Sequence, residues 1–187
     1  MLYNSNQEYN IVLHELFIDF KQANDSIGRQ QLFTVMREFG IPVKLINLVK
    51  ITPQKTTNQI QINGRLSESF ETKSGLRQGD ALSTLLFNLA LEKIVRGIQV
   101  NPGGSIVNRS IQCLAYADDL VLIARSLSGL KETSERIMNA SKELGLEVSK
   151  DKTVYMETTK VKSRDGVSEI IIINDTNYKE VDNVKYL

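Results

Sequence analysis

Two adjacent aspartates, Asp118 and Asp119, interrupt residues 111–124 (IQCLAYADDLVLIA), a stretch that is otherwise largely apolar. An apolar run of that length reads as two short strands back to back, with the acids at or beside the connection. Aspartate tolerates turn geometry, so a plain turn accounts for the pair. A second reading stands beside it. Carboxylates this close raise one another's pKa unless a cation neutralises them, and hard carboxylate oxygens suit magnesium.

Asp19 has the same character. It follows Leu16-Phe17-Ile18 near the end of an apolar stretch, residues 11–20, that reads as a strand buried on at least one side. Strand-end carboxylates from distant segments can meet at one edge of a sheet. Asp19 and Asp118 together could then hold one or two magnesium ions, as in-line phosphoryl displacement requires. A third element is Ser74-Gly75-Leu76-Arg77-Gln78-Gly79-Asp80. Its glycines permit close backbone approach to a ligand, Arg77 offers a fork for phosphate, and Gln78 both donates and accepts. An ordinary loop capped by Asp80 or Ser83 fits the same residues.

The remaining pattern sets the architecture. Residues 27–39 carry Leu32, Val35, Met36 and Phe39 at helical spacing, with Gly40 as a stop. Residues 42–51 read as a second short helix. Asn63-Gly64 within 59–70 is a strong hairpin signal. Residues 82–100, with Leu82, Leu85, Leu86, Leu89 and Ile94 at helical spacing, read as a long, mostly buried helix, and 127–144 as an amphipathic helix ended by Gly145. Residues 154–156 and 170–173 read as short strands, with a turn at Asn174-Asp175. This order predicts an α+β fold, an antiparallel sheet with helices on one face, of which the ferredoxin-like arrangement is one example.

Composition excludes other classes. The 187 residues favour one domain, and 23 lysines and arginines against 22 acids leave a net charge of +1. Any nucleic-acid contact must therefore come from local clusters. One such cluster is Lys50, Lys55, Arg65, Lys73 and Arg77, which reads either as a solvated face or as a strip tracking a phosphate backbone. The single Cys113 and single His14 can form neither a disulfide nor a four-ligand zinc site. Cys113 is expected in the core, and His14 on a polar side of its strand. No apolar run reaches the ~18 residues of a membrane span, and residues 1–10 lack a signal-peptide core.

Taken in order, these segments resemble the palm of reverse transcriptases, the non-LTR (LINE-type) retrotransposon group above all. Phe17-Ile18-Asp19-Phe20-Lys21-Gln22-Ala23-Asn24-Asp25 is similar to the family's first palm motif, and Gly75 through Asn88 to its second. Ala115-Tyr116-Ala117-Asp118-Asp119 is similar to the third and most specific. Gly145 through Thr153 resembles the fourth, and Val184-Lys185-Tyr186-Leu187 the opening of the fifth. The resemblance implies a polymerase palm with two Mg2+ ions (Mn2+ as a possible substitute). Asp19 and Asp118 would be the metal-binding catalytic pair, Asp119 would support them, and the Phe20 carbonyl would add a ligand. Gln78 and Gly79 would contact the incoming nucleotide, with Arg77 close by, and Lys152 would sit near the leaving pyrophosphate. The implied partners are an RNA template, a DNA primer and deoxynucleoside triphosphates, with no membrane. Residues 1–187 would form a single partial domain, the palm with a little of the fingers and no thumb. The lone cysteine and the substrate class imply nucleus or cytoplasm. Oligomeric state is not implied.

Three departures qualify the resemblance. Asn24 replaces the aromatic residue that blocks ribonucleotides in the family, which predicts weakened sugar discrimination. Ala81 and Thr84 replace two prolines, freeing the unfolded chain at a cost of ~0.4–1 kcal/mol each. These leave three alternatives beside an active retrotransposon polymerase: an inactive remnant, a group II intron-type reverse transcriptase, and a magnesium-dependent nuclease using the same carboxylates. Gly75 to Asp80 and Lys152 weigh against the nuclease.

Overall fold

A computed structural model describes residues 12–51, 57–72, 74–76, 81–97, 111–116, 119–158 and 170–184. In chain order the elements are β1 (Leu13–Ile18), α1 (Ala23–Ser26), α2 (Arg29–Glu38), α3 (Val43–Ile51), β2 (Thr57–Asn58), β3 (Gln61–Ile62), β4 (Arg65–Leu66), β5 (Phe70–Glu71), α4 (Ala81–Gly97), β6 (Ile111–Tyr116), β7 (Asp119–Ala124), α5 (Leu127–Glu143), β8 (Val154–Thr158), β9 (Ile170–Ile173) and β10 (Thr176–Glu180).

Six strands form one sheet in the order β6-β7-β1-β8-β10-β9. β1 lies between β7 and β8, and from Glu15 onward its residues alternate. Leu16, Ile18 and Phe20 are buried on one face, while Glu15, Phe17 and Asp19 lie on the other, partly exposed. Its register sets Leu16 against Leu122 of β7 and against Tyr155 of β8, so one apolar row crosses three strands. All pairings are antiparallel except β8 with β10, which is parallel. The expected antiparallel sheet is therefore a mixed one. The exception arises because β9 and β10 form their own hairpin, through the left-handed pair Asn174 and Asp175, before β10 reaches β8.

The helices cover the Leu16 face. α5 packs on β1, β7 and β9, and α4 packs on α2 and α5. Leu86, Phe87, Ala90, Leu91 and Ile94 of α4 and Leu130 and Ile137 of α5 are buried in this core. Each such side chain contributes ~1.5–3 kcal/mol on burial. α5 starts at Ser126, whose hydroxyl accepts from the Gly129 N–H, and ends at Gly145 in the left-handed region. There Leu146 N–H donates to Ser141 C=O and Gly145 N–H to Lys142 C=O, which satisfies the last carbonyls. Leu85, expected on the buried side of α4, is 57% exposed. Ala81 and Thr84 both lie within the first turn of this uninterrupted helix. Among the described residues no helix is long and apolar enough to cross a membrane.

Asn63 and Gly64, both at positive φ, close the predicted hairpin between β3 and β4, and β2 pairs β5 beyond it. Lys50 lies over the Phe33 ring and Arg65 is exposed. Lys55, Lys73 and Arg77, the rest of the basic cluster, lie outside the described residues.

Candidate active site

The carboxylates meet at one end of the central strands. Ile18 pairs with Leu120, so the next position of that register sets Asp19 across from Asp119. Ile18 and Leu120 are buried on the helix side, and alternation puts Asp19 and Asp119 together on the open face. β6 reaches the same end, with Tyr116 paired to Asp119. Asp118, between those two strands, lies outside the described residues, as do Arg77, Gln78, Gly79 and Asp80.

Residues 145–153 wrap the Asp19 backbone. Ser149 N–H donates to Asp19 C=O at 2.8 Å, Lys21 N–H to Glu147 C=O at 2.8 Å, and Asp19 N–H to Thr153 Oγ1 at 3.2 Å. Between them Phe20 bridges Val148 and is buried. Successive carbonyls of an extended chain point in opposite directions. Because Asp19 C=O is directed at the 147–149 segment, alternation turns the Phe20 carbonyl away from that segment. Lys21 Nζ also meets Glu147 Oε1 at 2.6 Å, which holds the lysine's pKa up and the glutamate's down.

This wrapping leaves Asp19 with an unusual carboxylate. Its side chain is 27% exposed, yet Oδ2 is buried and has no hydrogen-bond partner among the described residues. The Lys152 ammonium stands 3.7 Å from Oδ2, within ion-pair range but beyond a hydrogen bond. A buried acceptor without a donor costs ~1–3 kcal/mol, and oxygen-seeking cations satisfy such atoms. Asp19, Asp119 and the Phe20 carbonyl all offer hard oxygens of the kind a magnesium-class ion takes, and Asp19 and Asp119 lie at the same end of β1 and β7. No cluster of three or more acidic, histidine or cysteine ligands forms among the described residues. The fourth predicted donor, Asp118, is outside them.

The second glycine-bearing segment docks beside this edge. Leu76 N–H donates to Asn24 C=O at 2.7 Å, Gly75 N–H to Ile27 C=O at 2.9 Å, and Ser74 bridges Gly28. Gly75 has φ +87°, and a Cβ there would come within 3.0 Å of Asp25 O, so both conformation and space demand glycine. Asn24 sits half-buried in α1, next to this seam. α1 starts from Gln22, a non-glycine residue in the left-handed region, so the chain reverses sharply right after Asp19.

Sequence reasoning placed Asp19, Asp119, Phe20, Asn24 and Lys152, and the fold brings them to one end of the sheet. It assigned no role to Thr153, whose hydroxyl accepts from Asp19, or to Arg29, whose guanidinium holds the Gly75 segment. Away from the edge, a cavity of about 600 Å3 lies between α4 and β6, lined by Thr84, Asn88, Leu91, Glu92, Val95, Cys113 and Ala115. Cys113 packs against the core as expected, and burial pushes its thiol up to about 11. That keeps it protonated and unreactive at neutral pH.

This arrangement matches a known fold. A telomerase from Candida tropicalis, solved in complex with a fragment of telomeric RNA, superposes with a TM-score of 0.67 over 91% of this chain and 29% of its own, at 17% identity. The chain therefore has an α+β fold shared with telomerase, consistent with a polymerase palm. The sequence pattern of the family "Reverse transcriptase (RNA-dependent DNA polymerase)" matches residues 4–187. The chain belongs to the reverse transcriptase family.

Its relatives include the Retrovirus-related Pol polyprotein from type-2 retrotransposable element R2DM of Drosophila melanogaster, 30% identical over 135 residues. A Pol polyprotein from a type-1 retrotransposable element R2 of Nasonia vitripennis is 29% identical over 136 residues. These alignments take in 72% and 73% of this chain but only 13% of either relative. The chain thus spans about an eighth of the length of those Pol polyproteins.

Proposed function

We propose that the chain is the palm of an RNA-directed DNA polymerase of a retrotransposon. It would add deoxynucleotides to a primer 3′ end along an RNA template. The observation that carries this reading is the buried Asp19 Oδ2, which lacks a donor among the described residues and lies at the end where β1 pairs with β7. The central strands β6-β7-β1-β8 with α4 and α5 on one face support a ferredoxin-like core, the arrangement expected of a palm.

Asp19, Asp118, Asp119 and the Phe20 carbonyl would hold two Mg2+ ions, or Mn2+ in their place. When bound, such ions stabilise charge on the attacking and leaving oxygens of a phosphoryl displacement. The chain's own residues do the rest by positioning and charge. Ser149 and Thr153 fix the Asp19 backbone, so its carboxylate keeps one orientation. Lys152 would meet the departing pyrophosphate and supply it a proton, a role supported by its ammonium standing 3.7 Å from that carboxylate. Gln78 and Gly79 orient the incoming nucleotide, Arg77 adds charge near its phosphates, and Asn24 faces the sugar. Nucleotide choice is left to the template base. The proposed partners are accordingly the RNA template, the DNA primer and the deoxynucleoside triphosphates.

A second reading, an inactive remnant of such a polymerase, is favoured by Asn24, which lacks the family's ring beside the sugar. Primer extension on an RNA template by the full polyprotein separates the two. Magnesium-dependent incorporation that Asp19→Asn abolishes supports the polymerase. Incorporation in neither protein overturns it, and primer shortening in place of extension reveals a nuclease.

A further inference from the structure

We infer that Arg29 is a positioning residue for nucleotide binding, acting through the backbone that leads into Arg77, Gln78 and Gly79. The inference rests on the polymerase reading above. Arg29 is the first residue of α2, where the helix dipole is positive and a cation is locally unfavourable. No acidic residue shares that first turn. What holds the guanidinium is the segment opposite. Its Nε donates to Gly75 C=O at 2.8 Å and its Nη1 to Thr72 C=O at 2.8 Å. One planar fork thus ties two carbonyls three residues apart, Thr72 just after β5 and Gly75.

The same bend is docked on α1 and the start of α2 by Gly75 N–H to Ile27 C=O and Leu76 N–H to Asn24 C=O. Arg29 therefore completes a seam whose other side carries Asn24, at the proposed sugar position. The seam's free end enters Arg77 directly. Loosening it frees Gly75 and Leu76 from α1 while leaving the carboxylate end, built by β1, β7 and residues 145–153, in place. The loss then falls on nucleotide affinity more than on turnover. Lysine cannot replace the fork, because its single ammonium is a point charge without two fixed, parallel donors.

The test uses the full polyprotein, with Arg29→Ala, Arg29→Lys and wild type compared in primer extension and in amide hydrogen exchange. The expected result is a rise in apparent KM for deoxynucleotide on the order of tenfold in both variants, with kcat changed much less. Amide protection at Ser74 to Leu76 falls, while protection in β1, β7 and α5 is retained. A fall in kcat at unchanged KM overturns the inference, as does full recovery by Arg29→Lys. Loss of protection throughout the sheet overturns it too, since Arg29 would then be a general stabiliser. A wild-type protein that incorporates no nucleotide overturns the polymerase reading instead. Exchange at Ser74 to Leu76 still decides, without any activity, whether Arg29 holds the segment.

Discussion

The Asp19 N–H donates to the Thr153 hydroxyl, and Thr153 is 1% exposed. Thr153→Val keeps the shape and removes the acceptor, so a buried donor is stranded at a cost of ~1–3 kcal/mol. Urea unfolding should show that loss, and Thr153→Ser, which keeps the oxygen, should lose less. Asp19 was legible in the sequence because its carboxylate closes an apolar run, and Lys152 only through the resemblance of residues 145–153 to the family's fourth motif. Thr153 and Arg29 were not, because each serves the backbone of a distant segment, and no local pattern encodes a tertiary hydrogen bond. Asn24 is the reverse case, conspicuous in sequence and modest in structure. Its carbonyl is committed to Leu76, which leaves the side chain as the variable. Under the polymerase reading, Asn24→Phe should raise the preference for deoxy- over ribonucleotides several-fold, read from single-nucleotide incorporation. An unchanged ratio would remove Asn24 from the sugar site.

At the level of elements, Gly145 shows how a helix stop also becomes a tertiary joint. Its φ is +82°, and a Cβ there would sit 2.9 Å from Ser26 O and 3.2 Å from Gly28 N. Gly28 N–H in turn donates to Leu144 C=O, so the end of α5 is keyed into the gap between α1 and α2. Gly40 ends α2 at a similar φ, +73°, with nothing within 4 Å of its would-be Cβ. Gly40→Ala should then cost only the left-handed penalty, ~1–2 kcal/mol, while Gly145→Ala adds a clash with backbone that cannot swing aside. Denaturation midpoints should rank them in that order, and equal midpoints would mean the joint yields. Both stops were readable from sequence, since glycine after an amphipathic run is a strong signal. Two elements were not. α1 has four residues, too few for a period, and β10 (TNYKE) has a single apolar residue, Tyr178, which is buried with its hydroxyl on Met138 Sδ. Neither shows amphipathic alternation, so only the packing around them reveals them.

Across the whole molecule, β1 couples the carboxylate edge to a polar cluster at its opposite end. His14 Nδ1 and Tyr155 Oη are 2.6 Å apart, their rings stack, and Tyr155 O–H also reaches Glu157 Oε2 at 3.3 Å. Expected on a polar side of its strand, His14 instead shares the face of Leu16 and Ile18 and is largely covered, with Tyr155 and Glu157 as its polar partners. Burial is the main influence on its pKa and lowers it below the ordinary 6.5, with Glu157 opposing. The folded chain therefore resists a proton that the unfolded chain accepts. Stability should fall as pH drops from about 6.5 through the lower folded value. Glu15, one residue on and on the open face, works in the other direction. Burial raises its pKa above 4.5, partly offset by the Thr158 hydrogen bond, so its favourable contribution is complete below 4.5 and lost as pH rises through the folded value. Two substitutions separate these effects. His14→Gln should flatten the stability loss between about pH 7 and about pH 5 relative to wild type, and Glu15→Gln should raise stability at about pH 7. Chemical denaturation of each variant at both pH values measures this. A His14→Gln profile parallel to wild type would mean that His14 titrates alike in the folded and unfolded chains, and the central strand would then carry no proton-linked strain at that end.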